Sequence, residues 1–254
     1  MSWGTHRRNT IVFTFFSIIF LIVAYLLFDA LYEQPNCFDK KWNGDEVNID
    51  CGGSCSLMCS SQVLSPIIRW TRVFEVAPGI YNVLAYVENP NPNAEVRNIS
   101  YKFKVFDNEN VLLQERRGFT SIPPKSIIPI LENTLPVGKL DANRVSFEFS
   151  EELVWHKKTP EESLVAVQDE QITRLEDSPR IRAIIRNTGV EVIKNLRVVA
   201  IVYDSQNNAI GASSTLFKES FPNTNTEAFF VWPKPFESDF SRFELIPVYD
   251  RSSN

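Results

Sequence analysis

The sequence predicts an all-β protein carried on one N-terminal transmembrane α-helix, with a short disulfide-rich segment between the two. Three observations carry this. Asn9–Phe28 is a run of 20 residues without a charge. All four cysteines lie together between Cys37 and Cys59. The rest of the chain sets short apolar runs between turn residues, with two-residue alternation common and 3.6-residue periodicity scarce. The 254 residues then divide into a tail (1–8), a transmembrane helix (9–28), a cysteine-rich segment (29–62) and two antiparallel Ig-like β-sandwiches (63–157 and 158–254).

The apolar run comes first. At ~1.5 Å rise per residue, a helix of its length spans ~30 Å, the thickness of a bilayer's hydrocarbon core. Arg7 and Arg8 precede it, and Asp29 and Glu33 follow it. Positive charge stays on the cytoplasmic side, so the N-terminus is expected inside and everything after the helix outside the plasma (inner) membrane. A cleaved signal peptide would have an apolar stretch of ~7–15 residues ending in small side chains. Here "YLLFDALYEQ" places Phe28 three residues before a cut after Ala30, so an uncleaved anchor is the better reading. A buried core helix has no other long helical pattern to pack against. Beyond residue 28 there are 24 basic residues, 26 less Arg7 and Arg8, against all 31 acidic ones, a net charge of −7. The expected partner is the bilayer, through residues 9–28. The basic footprint of nucleic-acid or anionic-lipid binding is missing.

The cysteine-rich stretch reads "NCFDKKWNGDEVNIDCGGSCSLMC". On the outer side of a membrane thiols are oxidised, and Cys37, Cys51, Cys55 and Cys59 are even in number, so two disulfides are expected in one of three connectivities. Pairing Cys37 with Cys51, for example, would close a loop of about 15 residues, worth ~3 kcal/mol by chain entropy. So short a segment cannot bury a core, and cross-links must supply its order. Gly52 and Gly53 permit sharp turns. Zinc is the competing use of four cysteines, but spacings of 13, 3 and 3 residues are not those of a finger or ribbon. There is no C-x-x-C redox motif. Asp39, Asn43, Asp45, Glu46, Asn48 and Asp50 supply hard oxygen atoms near the flexible Gly44, which makes a candidate calcium loop. Lys40 and Lys41 stand where such a loop carries acids, and a solvated acidic loop is the plainer reading.

The residues Cys37, Asn43, Gly44, Glu46, Asp50, Cys51, Gly52, Gly53 and Cys55 resemble a cysteine-rich repeat of secreted and surface bacterial proteins, C-x-D-G-x-x-N-G-x-E-x-x-x-D-C-G-G-x-C-x-x-C. The match covers about a tenth of the chain. It departs at Lys40, where glycine is expected, and in the three-residue gap before Cys59. It implies an extracytoplasmic structural module without a reaction of its own.

Further along, "ISYKFKVF" (Ile99–Phe106) sets Ile99, Tyr101, Phe103 and Val105 on one face and Lys102 and Lys104 on the other, as in a sheet with one wet face. "LRVVAIVY" (Leu196–Tyr203) is apolar on both faces after Arg197 and reads as a central strand. The two belong to an internal repeat, Val87–Leu113 against Ile185–Gly211. In each copy an Asn ends a strand (Asn89, Asn187), a long strand follows, and an aromatic–Asp pair closes it (Phe106–Asp107, Tyr203–Asp204). The period of about 98 residues is too long for a solenoid and fits two sandwiches of ~100 residues. Strands are expected near 67–76, 80–88, 97–106, 111–120, 126–132 and 144–155, then near 164–174, 180–187, 192–204, 209–217, 226–232 and 240–249. The polar stretch "HKKTPEES" (His156–Ser163) is the expected hinge. In the second module "IIRNTG", "VVAIVYD" and "AIGASSTL" resemble the FxLYD domain. In the first, "VLAYVENPNP" and "YKFKVFD" resemble late-embryogenesis-abundant type 2 domains. Neither resemblance implies a catalytic residue.

Chemistry finds little to work with. His6 and His156 are the only histidines, and His156 reads as a linker residue. No P-loop, G-x-G-x-x-G, H-E-x-x-H or G-x-S-x-G occurs. Glu151–Glu152 and Glu161–Glu162 fall beside turns, as solvated surface. The aromatic–Asp pair reads as a core cap and a turn start. "FVWPKPF" (Phe230–Phe236) reads as a core plug at Trp232, with an exposed contact patch as the alternative; Trp42 is the better candidate for an exposed aromatic. No enzyme activity and no cofactor are called for. The expected function is a membrane-anchored interaction or scaffolding protein of the cell envelope, with an envelope protein as partner. The alternative is a ligand- or carbohydrate-binding sensor assisted by calcium at Asp39, Asn43, Asp45 and Asp50.

Overall fold

The computed structural model describes residues 3–31, 36–138 and 140–249, apart from the side chains of residues 3–6 and 30. Glu33 and the His6 ring lie outside what is described. The chain forms two compact units, Met1–Cys55 and Ser56–Asn254.

The first unit opens with α1 (Trp3–Leu31). Its Ile, Val and Phe residues are mediocre helix formers in water. In hydrocarbon, however, every backbone polar group must be satisfied within the segment, and a helix does that. Thr14 donates its hydroxyl to the Thr10 carbonyl (2.8 Å), so that polar group is also satisfied locally. Arg7–Asp29 is long and apolar enough to cross a membrane, and none of its most apolar stretch is buried. A core helix would be covered. The remainder of this unit is the cysteine segment.

The second unit is all β. Its strands are β1 (Ile67–Ala77), β2 (Ile80–Asn89), β3 (Ala94–Phe106), β4 (Leu112–Ile122), β5 (Ser126–Pro136), β6 (Arg144–Phe149), β7 (Trp155–Lys157), β8 (Val165–Thr173), β9 (Arg180–Asn187), β10 (Ile193–Asp204), β11 (Ala209–Ser220), β12 (Asn225–Val231) and β13 (Phe240–Val248). They form four antiparallel sheets, ordered β1-β2-β5, β4-β3-β6 with β7 also on β3, β12-β9-β8, and β11-β10-β13. The last six strands repeat the topology of the first six: β8, β9 and β12 correspond to β1, β2 and β5, and β11, β10 and β13 to β4, β3 and β6.

One expected strand is broken. The stretch 144–155 is β6 and β7, separated at Ser150–Val154. The cause lies on the partner strand. Asn98 takes a left-handed backbone (φ 44°) and β3 changes register between Val96 and Ile99. β6 pairs with β3 from Tyr101 onward and β7 with Ala94–Val96. His156 accordingly sits in a strand rather than in a polar connection, and Leu57 bridges to it.

Packing follows the alternation. Ile99, Tyr101, Phe103 and Val105 point into the first core with Val83, Ala85 and Val87, while Lys102 and Lys104 face outward to Glu148. In the second copy, Ile181, Ala183 and Ile185 meet Leu196, Val198, Ala200 and Val202. A third core lies where the two copies meet: Leu84 and Leu131 pack against Val199, Ile201, Tyr203 and Ala212. β2 and β10 are thus buried on both faces, which explains why β10 reads as a continuous apolar run. Around this seam Asn82 donates to the Ala212 carbonyl (3.0 Å), Asn133 to Ser214 Oγ (2.7 Å) and Arg197 Nη1 to the Leu131 carbonyl (2.9 Å).

Candidate functional site

In the cysteine segment the backbone dictates the cross-links. Val47 N–H bonds the Cys51 carbonyl (3.0 Å) and Cys51 N–H the Asn48 carbonyl (3.1 Å), making a tight reversal with Asp50 at φ 56°. Gly52 and Gly53 follow with φ of 80° and 51°. A Cβ on Gly53 would stand 1.9 Å from the Asp45 carbonyl oxygen, so no other residue fits that backbone. The reversal delivers Cys55, not Cys51, to Cys37, with a Cα–Cα distance of 5.6 Å and a separation of 18 residues. Cys51 and Cys59 are disulfide-bonded as well, and no cysteine is free.

The candidate calcium oxygens are engaged in holding this loop. Asp50 Oδ1 accepts the N–H groups of Asp39 (3.0 Å) and Lys40 (3.1 Å). Asp39 accepts Lys41 N–H (2.8 Å) on one oxygen and Asn43 Nδ2 (2.8 Å) on the other. Asp45 accepts the Ser54 hydroxyl (2.7 Å), Asn43 Oδ1 accepts Asn36 N–H (3.3 Å), and Asn48 Oδ1 its neighbour Ile49 N–H (2.8 Å). Glu46 is buried, accepts Asn43 N–H (3.3 Å) and lies 3.5 Å from Cys55 Sγ. Among the described residues the one cluster of potential metal-ligating Cys, His, Asp and Glu atoms is Cys37, Glu46 and Cys55, whose sulfurs are joined to each other.

The repeat carries its own polar fittings. Asn89 is buried and donates to the Ala94 (2.7 Å) and Pro123 (2.8 Å) carbonyls while accepting Asn91 N–H (3.0 Å). Asn187 does the same with Glu191 O (2.7 Å), Ser220 O (2.8 Å) and Gly189 N–H (2.9 Å). Asp107 Oδ1 accepts Glu109 and Val111 N–H, as Asp204 Oδ1 accepts Gln206 and Asn208 N–H. Arg144 stacks over Phe106 (4.3 Å) and bonds Asn110, as Arg242 stacks over Tyr203 (4.0 Å) and bonds Asn207. The two arginines escape a reading of local motifs; their separation of 98 residues, equal to that of Asn89 and Asn187, is the signal that finds them.

At the seam, Tyr101 donates to Glu132 (2.7 Å), which also accepts Arg116 Nε (3.1 Å). Tyr203 and Tyr86 both donate to Glu244 (3.2 and 3.4 Å). Burial, with the neighbouring carboxylates, pushes all three phenols up, so they act as fixed donors. A cleft of about 250 Å³ beside Tyr101 is lined by Asn98, Ser121, Asn195 and Arg197. A second, of about 450 Å³, lies at the Phe230–Phe236 stretch and is lined by Arg72, Glu75, Asp204, Trp232, Lys234 and Phe236. Trp232 is itself in the core, edge-on to Phe236 at 5.2 Å. A Cβ on Gly211 would stand 2.9 Å from both rings. Lys234 bonds Glu75 (2.6 Å), and that bond raises the lysine's pKa. His156 is held below the ordinary imidazole range by burial and by Arg97, with Glu95 opposing.

No family model matches the chain. No curated protein matches it in sequence. Among solved structures it is similar to red sea bream transglutaminase, at 10% identity over 71% of this chain and 31% of that one, with a TM-score of 0.22. Among the described residues, the fold is mostly β, with four antiparallel sheets, two disulfides and one N-terminal helix apolar enough to span a membrane.

Proposed function

We propose that the chain is a single-pass membrane protein with its N-terminus in the cytoplasm. Its stapled segment and paired sandwiches would stand outside the plasma (inner) membrane as a non-enzymatic interaction or scaffolding component of the cell envelope. The observation that supports this best is the apolar helix followed within a few residues by cysteines that are all oxidised. The resemblance of Cys37–Cys55 to surface-protein repeats, and of the sandwiches to FxLYD and late-embryogenesis-abundant type 2 domains, agrees with a structural, partner-binding role. Crosslinking in intact cells followed by mass spectrometry should recover envelope proteins joined to residues beyond 36. A membrane-impermeant thiol reagent, applied after mild reduction, should label the cysteines from the outer side. Labelling only from the cytoplasmic side would overturn the reading.

A second reading, ligand or carbohydrate binding, is favoured by the cleft at Trp232–Phe236, where a half-buried aromatic ring lies beside ionic side chains. Glycan-array binding lost in Lys234→Ala or Phe236→Ala would support it, and loss on chelation would add calcium. The scaffold reading expects neither.

A further inference from the structure

The stapled segment is inside out. Three of its four carboxylates turn inward: Glu46 is buried, and half-buried Asp39 and Asp50 accept backbone N–H groups, while Asp45 stays exposed. Its large apolar side chains point outward, with Phe38 71%, Trp42 73%, Val47 49% and Ile49 52% exposed. Four large apolar side chains this exposed within 20 residues are a dense apolar surface for a segment that small, and one suited to a contact. The covalent chain limits what that can be. Asn36 is five residues after Leu31, the last residue of α1, and a chain reaches at most ~3.6 Å per residue, or ~18 Å. With α1 across the bilayer, Asn36 is therefore held within reach of the lipid headgroups, and the segment it begins can rest on them.

The details suit that medium. Trp42 already donates its indole N–H to the Glu46 carbonyl (2.9 Å), so the exposed ring can enter a less polar layer without stranding a donor. Tryptophan concentrates at this boundary. Lys40 is exposed, and its flexible stem is long enough to bring an ammonium to phosphate oxygens. The net charge of the chain speaks against attraction to anionic lipid, but insertion of apolar side chains into neutral lipid needs none.

We propose that Asn36–Cys55 is an interfacial foot that seats Phe38, Trp42, Val47 and Ile49 at the boundary between headgroups and acyl chains. This rests on α1 spanning the membrane. The test uses the full chain with Trp3→Phe, reconstituted in phosphatidylcholine vesicles brominated near the headgroup end of the acyl chains. The signal of Trp42 is the difference from the Trp3→Phe/Trp42→Phe protein. Brominated lipid should quench that signal at least twofold and shield it from aqueous acrylamide, and Phe38→Ser with Ile49→Ser should weaken both effects. If the protein resists carbonate extraction yet Trp42 is open to acrylamide and untouched by bromine, the foot is overturned and the anchor stands. If a second copy or a protein partner crosslinks at Trp42 in place of lipid quenching, the foot is overturned likewise. If the protein leaves the vesicles on carbonate treatment, both fall.

Discussion

Asn187 shows how much a single side chain can hold. It is fully buried, and its amide satisfies two carbonyls and one N–H that would otherwise be stranded. Removing one partner from a buried hydrogen bond costs about 1–3 kcal/mol. Asn187→Ala should therefore lower stability by roughly 3 kcal/mol, as should Asn89→Ala, measured by urea unfolding. Asp in place of either Asn should not rescue, because it offers no donor. His156 gives a pH effect with a definite sign. The folded state holds its imidazole below the unfolded value of ~6.5, so the unfolded chain takes up the proton first. Stability contributed by the neutral ring is present above pH ~6.5 and is lost as pH falls through the lower, folded pKa. The drop in urea midpoint between pH 7.5 and 5 should be smaller in His156→Gln than in the parent. At this scale the sequence was readable where the partner is local. Asp107 and Asp204 bond residues two and four positions on, and they read correctly as turn starts. The stacking of Arg144 on Phe106 spans 38 residues and needs the fold to be seen.

Elements were legible to the extent that period two was clean. β3 and β10 could be placed, and their faces assigned, because alternation and unbroken apolarity each have one physical meaning in a sheet. The break between β6 and β7 was not, since it is caused by the bulge at Asn98 on another strand. Nor was the pairing of Cys37 with Cys55, which depends on the path of the chain through Gly52 and Gly53. Gly53→Ala should prevent the loop from closing. Non-reducing mass mapping is expected to show scrambled or free cysteines in that variant, and native pairing would contradict the account. The double-faced burial of β10 predicts a different response. Ile201→Ala removes a fully buried side chain from the shared third core and should cost about 2–5 kcal/mol. Because both copies lean on that core, near-ultraviolet and far-ultraviolet signals should still fall together in one transition.

In the second unit, four sheets lie face against face, and the contact between copies joins unlike surfaces. The β1-β2-β5 sheet of the first meets the β11-β10-β13 sheet of the second. Contact of unlike surfaces is not self-complementary; unless the rotation closes a ring, such a pattern continues until something stops it. The stop is visible at equivalent positions. Leu84 in the seam corresponds to Arg182 on the free face of β9, and Val199 and Ile201 correspond to Lys102 and Lys104 on the free face of β3. Replacing Lys102 by Val, Lys104 by Ile and Arg182 by Leu should shift the Ser56–Asn254 unit toward higher oligomers on a sizing column, whereas Lys102→Arg with Lys104→Arg should not. The stretch "HKKTPEES" carries no sign of this contact, because the residues that join the copies sit far from it in sequence. The ends of the stack are therefore sticky surfaces painted over with charge. A charge-neutralising modification, or a lone copy expressed without its mate, should uncover an adhesive face and favour self-association.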